Sequence, residues 1–187
     1  MEKFKHNPTD TIVVNSPFGN RIHPITKKTE FHTGVDIAPK VRRVDGDNLY
    51  AVDDGRVIIS KVNNGGVKAG YGYYTVIQHK NFATLYAHMQ KLKMKTGDMV
   101  KAGDVIGFMG TTGTSTGTHL HFEVIEGQYA SKKYLDPAQF FIQPDTEYSE
   151  AYEVVKAKAQ LQADTMQYLK DYKHGRELII SLAKAMK

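Results

Sequence analysis

Two short stretches of this chain carry side chains suited to metal chemistry, His32-Thr33-Gly34-Val35-Asp36 and His119-Leu120-His121. Residues two apart on a strand point to the same face, so His119 and His121 project together, and His32 and Asp36 do likewise if their segment is extended. Each pair then offers half of a site. Val35, Ile37, Leu120, Phe122 and Val124 alternate with these polar residues, so the pattern that buries one face leaves the other for chemistry. The chain has no cysteine, which excludes a disulfide framework and a thiolate metal site and leaves His, Asp and Glu as donors. Zn²⁺ accepts imidazole and carboxylate, and catalytic zinc sites keep three protein ligands with a fourth position for water. Singly, HxH and HxxxD are also common as exposed or hydrogen-bonded side chains. Their occurrence together, with a further histidine at His88, gives them weight.

The elements around these residues read as β structure. From 13 to 124 the punctuation is Gly and Asp, and the apolar runs between are short and rich in β-branched and aromatic residues. Strands are predicted at 50–52, 56–62, 73–78, 83–88, 105–109 and 119–125, paired antiparallel because the connections are too short for crossover helices. Gly65, Gly66, Gly70 and Gly72 mark a loop or wide hairpin end, and Gly97-Asp98 and Gly103-Asp104 mark tight turns. The run 110–117 lacks the lysine of a phosphate-binding loop and reads as a turn delivering His119. After Pro144 glycine becomes scarce and Ala, Lys, Glu, Gln and Leu dominate, which predicts one long helix broken near Gly175, or two helices. Such a stripe packs on its own domain, meets a partner helix or leads to a further domain. The expected division is a mainly β domain over 1–144 and a helical tail over 145–187.

With 187 residues, 41% hydrophobic and 24% charged, the chain has the composition of a folded protein rather than a disordered one. A net charge of +5 favours polyanionic partners, among them cell-wall polymers, nucleic acid and lipid surfaces, without choosing between them. Residues 1–10 lack the apolar core of a signal peptide, and no stretch approaches the ~18 apolar residues of a membrane span. The expectation is a phage-encoded protein, one released by another route, or a domain cut from a longer chain.

Seven segments resemble one family in content and order: SPFGNRIHP from Ser16, FHTGVDIA from Phe31, DDGRVI from Asp53, GYGYYTVIQH from Gly70, TLYAHM from Thr84, VKAGDVIGFMGTTGTSTG from Val100 and THLHFEV from Thr118. The chain is similar over 16–142 to the lysostaphin-like zinc endopeptidases of the M23 group. The resemblance implies antiparallel sheets forming a groove with a zinc site on its floor. It implies one zinc per chain held by His32, Asp36 and His121, with His88 and His119 as catalytic histidines. The implied activity is hydrolysis of peptide bonds in bacterial peptidoglycan, cross-bridge or stem peptide, so the partner is a cell-wall peptide and neither nucleic acid nor membrane. Bound zinc lowers the pKa of its water toward about 7 and polarises the scissile carbonyl, and two histidines beside it suit proton transfer and oxyanion stabilisation.

Two other readings are weaker. A non-catalytic peptidoglycan-binding or hydrolase-activating relative would lose ligands, whereas all five positions are filled here. A biotinyl or lipoyl carrier would place its lysine after the VKAGD turn, whereas Lys93 precedes it. The family pattern is departed from at KVRRVDGDN, residues 40–48, a longer and more basic loop of the kind that tunes substrate fit. Thr118 replaces a common proline, with little chemical consequence expected. Among the other histidines, His79 reads as structural, His6 and His174 as exposed, and His23 as either groove wall or bystander. Tyr71, Tyr73 and Tyr74 suit either substrate contact or cross-strand packing.

Overall fold

A computed structural model describes residues 2–22, 27–142, 146–159, 165–166, 169–170 and 175–186. His23, Pro144 and His174 lie outside the described residues. The chain divides into two compact units, 1–142 and 143–187.

The first unit is built on antiparallel strands: β1 (Val14–Ser16), β2 (Gly19–Ile22), β3 (Thr29–His32), β4 (Val35–Ile37), β5 (Asn48–Tyr50), β6 (Gly55–Val62), β7 (Tyr73–Gln78), β8 (Phe82–Leu92), β9 (Met99–Val100), β10 (Val105–Met109), β11 (Leu120–Glu126) and β12 (Tyr134–Leu135). The main sheet runs β1-β4-β11-β8-β7-β6-β9, with β10 bridging β8 to β5, β12 on the edge of β11, and β2-β3 forming a separate two-stranded ribbon. β8 is central, and its first eight residues are all buried. Its side chains alternate between two cores, as a period of two demands. Phe82 and Tyr86 join Phe122 and Val124 on one face, while Ala83, Leu85 and Ala87 join Val76 and Ile125 on the other, and Met89, beyond a register shift, returns to the first. Phe4 closes the first core against the rings of Phe82, Phe122, Phe140 and Phe141.

Strands 73–78 and 105–109 match expectation, and the others move for identifiable reasons. The strand expected at 50–52 ends at Tyr50. Beyond it the Ala51 amide bonds to the Asp104 carbonyl and the Val52 amide to the Tyr86 hydroxyl, so the ladder is abandoned for loop contacts. The strand expected at 83–88 continues to Leu92 past a register shift in its pairing with β10, and His88 within it has φ 60°. The strand expected from 119 starts at Leu120, because His119 joins only through an isolated bridge to Gly110. The two Gly-Asp turns form as expected, each aspartate accepting from the amide three residues before it, Lys95 and Lys101, at 2.8 Å. Gly97 and Gly103 supply the positive φ. His79 is structural, its Nδ1 2.9 Å from the Asp54 carbonyl and its Nε2 2.9 Å from Thr84 Oγ1. His6 is half-buried against the Tyr50 ring at 4.8 Å rather than exposed, because the N-terminal segment packs on the sheet.

Among the described residues of the second unit are the helices α1 (Thr146–Ala159) and α2 (Gly175–Ala185), with further helical residues at 165–166 and 169–170. Ala151, Val155, Met166, Ile179, Ile180 and Ala183 share one buried cluster. Gly175 opens α2, where a Cβ would clash with the Leu169 carbonyl oxygen. No described helix is long and apolar enough to cross a membrane.

Candidate active site

The pairing of β11 sets the site. In its ladder with β4, His121 stands opposite Asp36, and in its ladder with β8 it stands opposite Ala87. His32 arrives differently from expectation. The segment 32–36 is not one extended run, because β3 ends at His32, a bend occupies Thr33-Gly34, and β4 begins at Val35. Gly34 lies so close to β11 that a Cβ would clash with the Phe122 carbonyl oxygen. That close approach folds His32 back over Asp36.

The result is three donors around one point. His32 Nε2 is 3.2 Å from Asp36 Oδ1, His121 Nδ1 is 3.1 Å from the same oxygen, and the two nitrogens are 3.0 Å apart. Tetrahedral zinc with bonds of about 2.0–2.1 Å separates its ligand atoms by about 3.3 Å. Among the described residues these three form the one His, Asp and Glu group able to hold a metal ion. The hydrogen positions follow from the outer partners. His32 Nδ1 lies 2.8 Å from the Pro17 carbonyl, so it carries the hydrogen and leaves the Nε2 lone pair facing inward. His121 Nε2 lies 3.1 Å from Glu123 Oε1, so it donates there and turns its Nδ1 lone pair inward. Two lone pairs and a carboxylate therefore face one point, a donor set that fits Zn²⁺.

Charge behaves accordingly. Burial works to raise the Asp36 pKa, but hydrogen bonds from His121 and His32 hold it well below the usual carboxylate range. Burial disfavours charge on His121, yet hydrogen bonds to Asp36 and Glu123 carry it up to about 9. Protonation of these donors and metal binding therefore compete.

His88 and His119 sit beside this cluster, their rings 4.7 Å apart. His88 is held by its φ of 60° and by its amide, which donates to the Tyr71 carbonyl at 2.9 Å. Its Nδ1 faces the Thr112 carbonyl at 2.7 Å, and His119 Nδ1 faces the Gly117 carbonyl at 2.7 Å, so both keep Nε2 unprotonated and available. The 110–117 loop thus fixes both tautomers. His119 Nε2 lies 3.7 Å from Asp36 Oδ1. Burial and the neighbouring His119 and His121 push His88 down to about 3, and burial lowers His119.

Two residues that the sequence reading gave no role belong to the site. Glu123 is fully buried, and its Oε1 accepts from Thr33 Oγ1 at 2.5 Å, from the Tyr71 hydroxyl at 2.9 Å and from His121. Its position two residues after His121 extends the HxH alternation to HxHxE, a signal present in the sequence. Arg21, from β2, donates through Nη1 to Asp36 Oδ2 at 2.8 Å and to Ser16 Oγ at 2.6 Å, and through Nε to Glu30 at 3.1 Å. It engages the outer carboxylate oxygen and leaves Oδ1 to the histidines. Of the three tyrosines, Tyr71 faces the site, its ring stacked on His121 at 5.8 Å, while Tyr74 belongs to the second core and Tyr73 packs against the first. Two cavities adjoin the cluster. One, of about 750 Å³, includes Asp36, His119, Arg42 and Arg43, and the other, of about 280 Å³, includes Phe31, Tyr71, His88 and His121.

Residues 30–137 match the model of Peptidase family M23. A DD-carboxypeptidase/endopeptidase, Mpg, of Neisseria meningitidis is 45% identical over 117 residues, which is 62% of this chain and 25% of the relative. The peptidoglycan DD-endopeptidase ShyC of Vibrio cholerae is 38% identical over 124 residues, 65% of this chain and 27% of the relative. This chain therefore spans about a quarter of the length of these curated relatives. Among solved structures, the catalytic domain of the antimicrobial peptidase lysostaphin from Staphylococcus simulans superposes with a TM-score of 0.61 at 26% identity. The match covers 73% of this chain and 98% of that domain.

Proposed function

Since this chain belongs to peptidase family M23, we propose that it is a zinc-dependent endopeptidase acting on the peptides of bacterial peptidoglycan. The observation that carries the reading is the inward convergence of His32 Nε2, Asp36 Oδ1 and His121 Nδ1 within 3.0–3.2 Å of one another. In this reading those three atoms hold the metal. Zinc bound there supplies Lewis acidity toward the scissile carbonyl and a water whose pKa falls toward about 7.

The chain's own residues do the rest. His88 and His119, neutral and with Nε2 free, are placed to take a proton from the attacking water and return one to the leaving amine. Their depressed pKa values keep them in the base form at neutral pH. Arg21 and Glu123 hold Asp36 and His121 in orientation. The substrate class is supported by relatives whose activities are on DD-peptides and peptidoglycan. All five proposed site residues lie in the first unit, so we assign the chemistry to it, with the helical tail outside the chemistry.

The test is metal removal and return. The purified chain should hold close to one zinc, lose amide hydrolysis of a cross-linked muropeptide dimer on chelation, and regain it with zinc. Hydrolysis that survives complete chelation overturns the proposal.

A further inference from the structure

The loop 40–48 is wedged between β4 and β5 and is tied down at both ends. The Lys40 amide donates to Asp47 Oδ2 at 2.5 Å, the Gly46 amide to the Met109 carbonyl at 2.9 Å, and the Met109 amide to the Asp47 carbonyl at 2.8 Å. Thr118, immediately before His119, donates through Oγ1 to Asp45 at 2.5 Å. A proline at that position would have no hydroxyl for this bond, so Thr118 has a consequence the sequence did not suggest. The loop's two carboxylates are thereby turned onto its own anchors. Its arginines are not. The Val44 amide bonds the Val41 carbonyl at 3.0 Å across a tight turn, with Arg43 held at φ 63°. Arg42 and Arg43 line the larger cavity together with Asp36 and His119. Both are exposed, and neither has an ion-pair or hydrogen-bond partner among the described residues.

The cavity walls sharpen the chemistry. Asp36 is its one acidic lining residue, and it is already engaged by Arg21 and the histidines. Ile22, Ala38 and Pro39 supply apolar surface beside the two free guanidinium groups. The smaller cavity offers Phe31, Tyr71 and Asn63 and, among the described residues, no free cation, since Arg21 there is paired with Glu30. The two cavities therefore differ in charge, two unpaired cations lining the larger and none among the described residues lining the smaller. A pair of free guanidiniums carried on an anchored loop beside a small apolar wall fits a carboxylate on a short side chain, which Arg binds in bidentate fashion.

We propose that Arg42 and Arg43 form a carboxylate-recognition subsite that selects peptides bearing a free carboxylate next to the scissile amide. This rests on the peptidase reading and adds to it a charge requirement on one side of the bond. Two cross-linked tetrapeptide dimers test it, identical except that the carboxylate flanking the scissile amide is free in one and a carboxamide in the other. The zinc-loaded full chain should favour the free acid by about tenfold in kcat/KM, as expected of two partly solvated ion pairs. The preference should shrink at high salt. In the Arg42→Gln/Arg43→Gln variant the ratio should fall to about 1, and Thr118→Val, which frees the loop from the rim, should lower it part of the way. Equal cleavage of both dimers by the wild-type chain, or an unchanged ratio in the double variant, overturns the subsite and leaves the peptidase reading standing. Cleavage of neither dimer overturns the subsite, and failure to release peptide from sacculi of any cross-link type overturns the peptidase reading as well.

Discussion

Glu123 is the residue whose replacement separates this account of the site from a looser one. It is fully buried, and a single oxygen gathers hydrogens from Thr33, Tyr71 and His121. Glu123→Gln keeps the shape and one carbonyl oxygen but removes the charge. A hydrogen bond to a charged group contributes about 1.5–3 kcal/mol against about 0.5–1.5 kcal/mol for a neutral one, so about 1 kcal/mol is lost at His121 Nε2. The imidazole also becomes a weaker ligand, and loss of such an outer partner lowers metal affinity by about 10- to 100-fold. Zinc affinity should therefore fall at least about tenfold in competition against a chromophoric chelator. Glu123→Leu should behave worse, since the buried His121 loses its acceptor at about 1–3 kcal/mol and the half-buried Thr33 and Tyr71 hydroxyls lose theirs as well. Urea unfolding of the metal-free variants measures that. A Glu123→Gln protein binding zinc as tightly as wild type would refute the claim that this carboxylate orients His121.

Three further outcomes follow from the same geometry. His121→Ala should lose zinc affinity by orders of magnitude, whereas His119→Ala and His88→Ala should keep zinc and lose about 10²- to 10⁴-fold in kcat, read by measuring metal content and turnover together. The native pKa of His88, near 3 against a usual 6.5, means that the unfolded chain takes up a proton the native chain refuses. Its contribution to stability is therefore full above about pH 6.5 and is lost as pH falls toward about 3, so the stability gap between wild type and His88→Gln should narrow on acidification in urea titrations. Truncation after Ile142 should leave hydrolysis of a soluble muropeptide intact, and loss of activity in a folded truncation would assign the tail a part in the groove.

How much was legible beforehand depended on the range of the interaction. Strands β7 and β10 could be read to the residue because turns bound apolar runs on both sides. β8 outran its expected end because Gln90 and Lys91 look like loop residues, while β10 pairs with Met89, Lys91 and Leu92 across them. The ribbon of β2 and β3 was missed because its residues are mostly polar and its apolar members Ile22 and Phe31 are exposed, so no apolar alternation marks it. At the site, the inward facing of His119 and His121 followed from local period-two geometry, and Glu123 was readable by the same rule. The opposition of His121 to Asp36 was not, since it is set by pairing between strands more than 80 residues apart. Arg21 and the Thr118–Asp45 bond are likewise products of tertiary approach. The bend at Gly34 shows the reverse case. The sequence offered an extended 32–36 segment, and the close pass of β11 required a fold in it instead.

The central claim is peptide-bond hydrolysis by a metal held at His32, Asp36 and His121, and digestion of purified sacculi of several cross-link types tests it most directly. Products are identified by mass spectrometry after incubation with the zinc-loaded chain, with the chelated chain and His121→Ala run alongside. The account predicts new peptide amino termini and a gain of one water per cut, released by the zinc-loaded wild type alone and with the glycan strands intact. Cleavage confined to sugar linkages, or equal peptide release by the His121→Ala protein, would contradict it.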